Sequence, residues 1–327
     1  MHGGTHGGAD RLVFSYAEGR RRGLSPGVLR GPTYGKPFRG IRTQGETDLD
    51  LTISAAAYLL PDGAGLTGWS ALRVRGLPGD WVDGRGRGMQ PLPVRVEAPP
   101  GTQPRLRPGL DVVRRDAAIE LTEVAGLPVA SAPVAWLTEI ARTRDRVVAQ
   151  VLTDAVLRFG LASAEDLAQL LAASAGRRGV RLARRALELA DPWAESPRES
   201  EFRVYWVDTG LGRPLANQVV LDREGNFLGR TDLLDEAAGV AGEFNGAWHR
   251  EGLQPWSDEV RLRGLRGIGL EVAVVGGPDL HRGGLGAKAA IRQTYALAAR
   301  RPPFAPRWQL GARPPLPWQR HGPPRRP

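Results

Sequence analysis

The chain has 327 residues, no cysteine, and 45 Lys and Arg against 35 Asp and Glu, for a formal net charge of +10. The missing cysteine excludes disulfides, thiolate zinc sites and cysteine nucleophiles. A hydrophobic content of 41% with 24% charged residues predicts a soluble globular protein. No apolar run approaches the roughly 20 residues of a membrane-spanning helix. The Gly-rich opening lacks the basic and apolar segments of a signal peptide, so a cytoplasmic location is expected.

The length suits two or three domains of roughly 100–200 residues each. Charge is distributed unevenly. Residues 1–190 carry 26 Lys and Arg against 19 Asp and Glu, residues 191–300 carry 13 against 16, and residues 301–327 carry six arginines and no acid. Basic flanks around a slightly acidic segment suit phosphates gripped on either side of a cation site. Only Lys36 and Lys288 are lysines, so the arginine bias reflects GC-rich coding as much as function.

In chain order, residues 1–10 read as a flexible lead and Arg11–Gly23 as a short helix. Ser25-Pro26 offers an N-cap with proline at the first helical position, and Pro37–Thr43 reads as a strand. Residues 11–44 therefore read as a small winged-helix-like module. It holds Arg20, Arg21, Arg22, Arg30, Arg39 and Arg42 available to nucleic-acid phosphates. A run such as Arg20–Arg22 is equally the mark of a solvated helix face.

Residues 45–190 follow as an α+β region. Helical patterns cover Asp48–Leu60 and Leu66–Gly76, and strands are expected at Pro93–Ala98, Leu110–Arg114, Glu120–Val124 and Leu127–Ala130. Helical periodicity returns at Pro133–Thr143 and Arg146–Phe159. Ser163 with Asp166 resembles a capping box for Ala164–Ala173, and Arg177–Ala190 is a basic helix. Ala190–Pro197 reads as a linker. Beyond it come a helix from Pro197 capped by Ser196, strands at Asn217–Leu221, Phe227–Leu234 and Val240–Asn245, a helix at Asp258–Arg266, a strand at Leu270–Val275 and a helix at Gly286–Arg300. Residues 301–327, rich in Pro and Arg, are expected to be disordered. The whole is a multidomain α+β or α/β protein.

The stretch Gly229–His249 concentrates candidate chemistry. Asp232 and Glu243 fall on adjacent predicted strands, Asn245 follows two residues later, and His249 four after that. Hard oxygen ligands from neighbouring strands and a group able to move a proton suit metal-dependent phosphodiester cleavage. A polar meander with solvated acids is the plainer alternative.

Residues 196–300 resemble the very-short-patch-repair-like endonuclease domain of the PD-(D/E)XK superfamily, in the form joined to an N-terminal AbiEi-type antitoxin-like region in actinobacteria. The resemblance is carried by Ser196-Pro197-Arg198-Glu199-Ser200 with Arg203, Gly229-Arg230-Thr231-Asp232-Leu233, Glu243 to His249, and Asp258-Glu259-Val260-Arg261. Phe38–Ile41, Leu66–Ala71 and Gly126–Val129 carry it into the first half. It implies a restriction-endonuclease-like αβββαβ domain at 196–300. It also implies a catalytic set of Glu199, Asp232, Glu243, Asn245 and His249, with Mg²⁺ or Mn²⁺ held by Asp232, Glu243 and Glu199. His249 would act as general base or would protonate the leaving oxygen. Arg203 and Arg230 would orient carboxylates or contact phosphate, and Asp258 with Arg261 would brace the domain. Asn245 stands where the subfamily commonly has aspartate and adds neither charge nor a titrating group.

Two functions follow from the resemblance. One is a double-stranded-DNA-binding, Mg²⁺-dependent endonuclease in phage defence or DNA repair. The other is a non-catalytic AbiEi-like transcriptional regulator or antitoxin, with a cognate toxin as partner. Neither involves a membrane. An interaction scaffold built on the Pro-rich tail is a third reading.

Overall fold

A computed structural model describes residues 13–102, 107–116, 120–245, 263–301 and 307–321. The described residues form a mixed α+β structure with three sheets. Among the described residues, one compact unit runs to Arg144 and takes up Leu161–Arg184. The second comprises Asp145–Gly160 and the chain from Arg185 on.

The first unit begins with β1 (Val13–Ser15), α1 (Tyr16–Arg21), α2 (Pro26–Arg30), β2 (Tyr34–Gly35) and β3 (Ile41–Gln44). The helix expected from Arg11 is thus a strand followed by a shorter helix. The reason is local: Ser15 adopts extended backbone, accepts from the Glu18 N–H and receives the Glu18 side chain in return. That reciprocal cap starts the helix at Tyr16 and leaves Val13 and Phe14 to pair with β3. Ser25 caps α2 with Pro26 behind it, as its sequence predicts. β3 lies between β1 and β2, antiparallel to both.

A second sheet follows in the same unit, built from β4 (Gly65–Leu66), β5 (Val94–Ala98), β6 (Leu110–Arg114), β7 (Leu121–Val124) and β8 (Leu127–Ala130) in the order β6-β5-β4-β8-β7. Helices α3 (Leu49–Tyr58), α4 (Gly68–Val74) and α5 (Ala132–Thr143) supply its core through Ile53, Leu72, Trp136 and Ile140. Next in sequence is α6 (Arg146–Arg158), which belongs to the second unit, and then α7 (Ala164–Ala173), which returns to the first. The Ser163–Asp166 capping box of α7 is present. From α7 the chain runs through α8 (Val180–Glu188) into the second unit.

The second unit is organised around α9 (Pro197–Val207) and a meander of β9 (Leu215–Asp222), β10 (Phe227–Asp235) and β11 (Val240–Asn245). Ser196 caps α9 and Pro197 occupies its first turn. β12 (Glu271–Gly276) runs parallel to β11, and α10 (His281–Ala298) follows. Of the helix expected at Asp258–Arg266, only residues 263–266 are described, and these are helical. A Cβ on Gly242 would lie 2.6 Å from the Trp206 ring and 2.9 Å from the Phe202 ring. The absent side chain at that position lets the aromatic side of α9 seat directly on β11.

The tail departs from expectation. Trp308–Gly311 forms β13, antiparallel to β9 at the sheet edge, and Pro317–His321 forms a short helix, α11. Composition alone predicts disorder here, but the edge of β9 offers unpaired backbone groups. Trp308 and Leu316 are buried, and the Arg313 guanidinium lies 3.9 Å over the Trp193 ring while pairing with Asp191 at 3.0 Å. Three anchors order the segment. Residues 302–306 and 322–327 lie outside the described set.

Candidate functional site

The second sheet unit brings part of the predicted carboxylate set together. β10 pairs with β9 so that Thr231 faces Gln218 and Leu233 faces Ala216. Between those pairs Asp232 stands level with Asn217. β10 pairs with β11 with Leu233 opposite Gly242, so one further step sets Asp232 level with Glu243. Three polar residues therefore stand in one row across three neighbouring strands. Phe244 N–H donates to Asp232 Oδ2 at 2.7 Å, tying the two carboxylate-bearing strands together. Glu243 is 4% exposed. Asn245 closes β11, exposed and opposite Gly276.

Glu199 enters from the first turn of α9. Its Oε2 accepts from the Glu195 N–H at 2.7 Å and from Asn217 Nδ2 at 2.6 Å, and its Oε1 accepts from Ser196 Oγ at 2.9 Å. Burial pushes its carboxyl up, the negative charge of Asp232 adds to that, and the three hydrogen bonds work against both. The result is a value of about 7. Glu199 and Asp232 are thus close enough to feel each other's charge.

Asn217, which sequence reading did not single out, joins these groups. Its backbone is left-handed (φ +48°) within β9, a conformation that Asn tolerates better than most residues. Its amide donates to both Glu199 and the Trp193 carbonyl, the latter at 2.8 Å. The only sequence signal was a polar Asn-Gln pair opening an otherwise apolar strand. Glu195 was missed as well. It accepts both Arg230 guanidinium nitrogens, at 3.0 and 2.6 Å, while its backbone N–H holds Glu199. Arg230, whose side chain is 37% exposed, is therefore placed to position Glu199 through Glu195.

Other predicted cations are also engaged. Arg203 is 4% exposed and donates through Nη2 to both oxygens of the buried Asp154, at 2.9 and 2.7 Å. Arg42, 8% exposed, donates to the carbonyls of Leu29 and Ile41 and lies 5.3 Å from the Tyr16 ring centroid. Burial and these bonds occupy both guanidinium groups within the fold. Arg20, Arg21, Arg22 and Arg39 are exposed. His249 and the Asp258–Arg261 pair lie outside the described residues; His281, at the start of α10, is exposed.

Among the described residues no three His, Asp or Glu side chains gather at metal-holding spacing. The donor chemistry of Asp232 with Glu243 nevertheless fits a hard divalent cation. Mg²⁺ is commonly bound through one or two carboxylates, with waters and substrate phosphates completing its shell.

The Glu199 shift carries a stability consequence. Its folded value lies above the ordinary 4.5, so the folded state keeps its proton longer than the unfolded chain does. Stability is then fully present below about pH 4.5 and is lost as pH rises through about 7, by up to about 3 kcal/mol at 1.36 kcal/mol per unit. Denaturant unfolding from pH 5 to 8 should show this decline without added metal, and Glu199→Gln should flatten it. An unchanged slope in Glu199→Gln would assign the decline to other groups.

Fold and site define a two-unit α+β protein whose second unit carries a carboxylate row on a meander extended by a parallel strand. The chain is 32% identical over 184 residues to the uncharacterized proteins MT2308 and Rv2248 of Mycobacterium tuberculosis, from strains CDC 1551/Oshkosh and H37Rv; the match covers 56% of this chain and 67% of each relative. It belongs to the family of these mycobacterial proteins. No family model and no solved structure matches it.

Proposed function

We propose that the chain binds double-stranded DNA through its N-terminal module and cleaves phosphodiester bonds at the Asp232–Glu243 row. The observation that carries this reading is the level placement of Asn217, Asp232 and Glu243 across three strands, with Glu199 bonded into the row from α9. Two features of topology support it. The succession of α9, an antiparallel β9-β10-β11 meander and β12 parallel to β11 is that expected of a restriction-endonuclease-like domain. The order β1-α1-α2-β2-β3, with β3 between the other two strands, is compatible with the winged-helix-like module expected at residues 11–44.

In this reading Asp232 and Glu243 hold Mg²⁺ or Mn²⁺, with Glu199 as the neighbouring carboxylate. When bound, the cation supplies charge neutralisation at the phosphoryl group and an acidified water. Asn217 fixes the Glu199 carboxylate, Arg230 acts through Glu195, and Asn245 offers its amide to a water or phosphate oxygen. His249 is the proposed proton carrier. The test is incubation of the purified chain with supercoiled plasmid and short duplexes in Mg²⁺, in Mn²⁺ and with chelator. Metal-dependent nicking or cutting is expected, and its absence under both metals overturns the enzyme reading.

A second reading is favoured by Asn245 itself, which brings no charge to the end of β11. In it the domain no longer cuts, and the chain acts as an AbiEi-like regulator or antitoxin with a toxin partner. Salt-sensitive DNA binding without cleavage, with activity gained in Asn245→Asp, would select it. Both readings place phosphates on Arg20, Arg21, Arg22 and Arg39. Affinity should fall with salt at a log–log slope of about −0.9 per phosphate contacted. Replacing Arg20 and Arg21 by alanine should make that slope shallower by about 2, as read by fluorescence anisotropy at several salt concentrations. An unaltered slope would remove these two arginines from the interface.

A further inference from the structure

The first unit contains a cleft of about 280 Å³ that the proposed nuclease chemistry does not use. It lies between the end of β6, helix α5, and α7 with the loop that follows it. Its lining combines apolar side chains, Val113, Val134, Leu137, Ala141 and Leu170, with five arginines, Arg114, Arg115, Arg142, Arg177 and Arg178.

Charge accounting separates these arginines into two groups. Arg115 donates to Glu97 Oε2 at 2.7 Å and to Thr138 Oγ1 at 2.7 Å, and Arg142 Nε donates to Asp111 Oδ2 at 2.9 Å. Arg95 pairs with Asp111 and, at 3.0 Å, with Glu139. Arg95, Arg115 and Arg142 are thus balanced by Glu97, Asp111 and Glu139. Arg114, Arg177 and Arg178 make no ion pair among the described residues and are exposed, with Asp116 as the one carboxylate beside them on the lining. The cleft holds an excess of two positive charges.

The loop presenting Arg177 and Arg178 is pinned. Gly179 is left-handed (φ +86°), and a Cβ there would lie 2.7 Å from the Ala141 Cα. Only glycine allows the backbone after Arg178 to approach α5 so closely. Arg177 N–H donates to the Ser174 carbonyl at 3.0 Å. Arg177 and Arg178, without an ion pair among the described residues, are therefore carried into the lining on a fixed backbone.

Guanidinium forks match phosphate oxygens, and the volume lies just below the ~300–1,000 Å³ usual for small-molecule sites. We infer that this cleft binds a phosphate ester of mononucleotide size, its phosphate on Arg114, Arg177 and Arg178 and its ring against Leu137, Ala141 and Leu170. Such an ester comes either as a free nucleotide or as one unit of a nucleic-acid strand; the cleft is half-open, and with room for about one nucleotide it is assigned to the free form. This assignment stands whether or not the carboxylate row cuts DNA.

The test is calorimetric titration of the full chain with adenosine and deoxycytidine 5′-monophosphates, inorganic phosphate, and a single strand of about 12 nucleotides. A monophosphate is expected to bind at least about tenfold more tightly than inorganic phosphate. The Arg177→Ala/Arg178→Ala double variant should weaken it at least about tenfold with thermal unfolding unchanged. Leu170→Ser should weaken the monophosphate and leave inorganic phosphate as it was. Failure of both monophosphates to bind saturably, or binding that survives the double variant, overturns the assignment. Binding of the strand alone, lost in the double variant, overturns the free-nucleotide form and makes the cleft part of a strand-binding surface.

Discussion

On the proposed nuclease reading, Asp232→Ala is expected to lower metal-dependent cleavage by at least about 10³-fold while leaving DNA affinity unchanged or higher. Asp232 stands at the middle of the row, level with Asn217 on one side and Glu243 on the other, and its Oδ2 accepts the Phe244 N–H. Losing a carboxylate that anchors a divalent cation removes several kcal/mol of transition-state charge stabilisation, and each 1.36 kcal/mol is tenfold in rate. Binding moves the other way because one negative charge near the phosphates disappears. The same substitution relieves Glu199, whose carboxyl Asp232 helps to push up. Cleavage rates and anisotropy on one protein preparation separate the two effects. A variant that cuts as well as its parent would move the chemistry away from this row.

Arg203→Ala is expected to cost about 3–5 kcal/mol of stability, the usual consequence of leaving one partner of a buried pair uncompensated. Asp154 is fully buried, and its carboxylate accepts from Gln150 at 2.9 Å, from the Asp191 N–H at 2.9 Å, from Ser200 Oγ at 2.8 Å and from Arg203. Burial alone drives its carboxyl up, and the Arg203 charge is the largest influence opposing that rise. The pair holds α6 against α9, and so fixes the helix from which Glu199 reaches the row. Asp154→Leu with Arg203→Met together should cost less than either single change, since no buried charge then remains. Denaturant unfolding of the three variants measures this. If Arg203→Ala unfolds within about 1 kcal/mol of the parent, Arg203 is not the brace of α9.

Local signals carried far in this chain. The capping boxes and N-caps at Ser163 and Ser196 are chemistry between residues three apart, and α7 and α9 begin where those residues predict. β11 spans Val240–Asn245, the range expected from the sequence. The order of strands in the sequence sets Asp232 and Glu243 on neighbouring strands, and β10 and β11 pair. Three sequence features misled for want of distant partners. Ser15 hid the strand in front of α1, basic composition did not separate Arg42 and Arg203 from open cations, and proline content concealed the edge strand at Trp308.

The sequence by itself determined the alternation of elements, most helix starts, and the two strand carboxylates, because caps, periodicity and turn residues act over a few positions. Only the tertiary structure decided which charges are spent inside the fold. It turned Arg203 onto Asp154, paired Arg230 with Glu195, placed Asn217 beside Glu199, and left Arg114, Arg177 and Arg178 without an ion pair among the described residues, in a cleft that apolar side chains also line. Each of these outcomes joins residues far apart in the chain or depends on what else crowds the site. The cost of burying a charge is set by those neighbours and not by the residue that carries it.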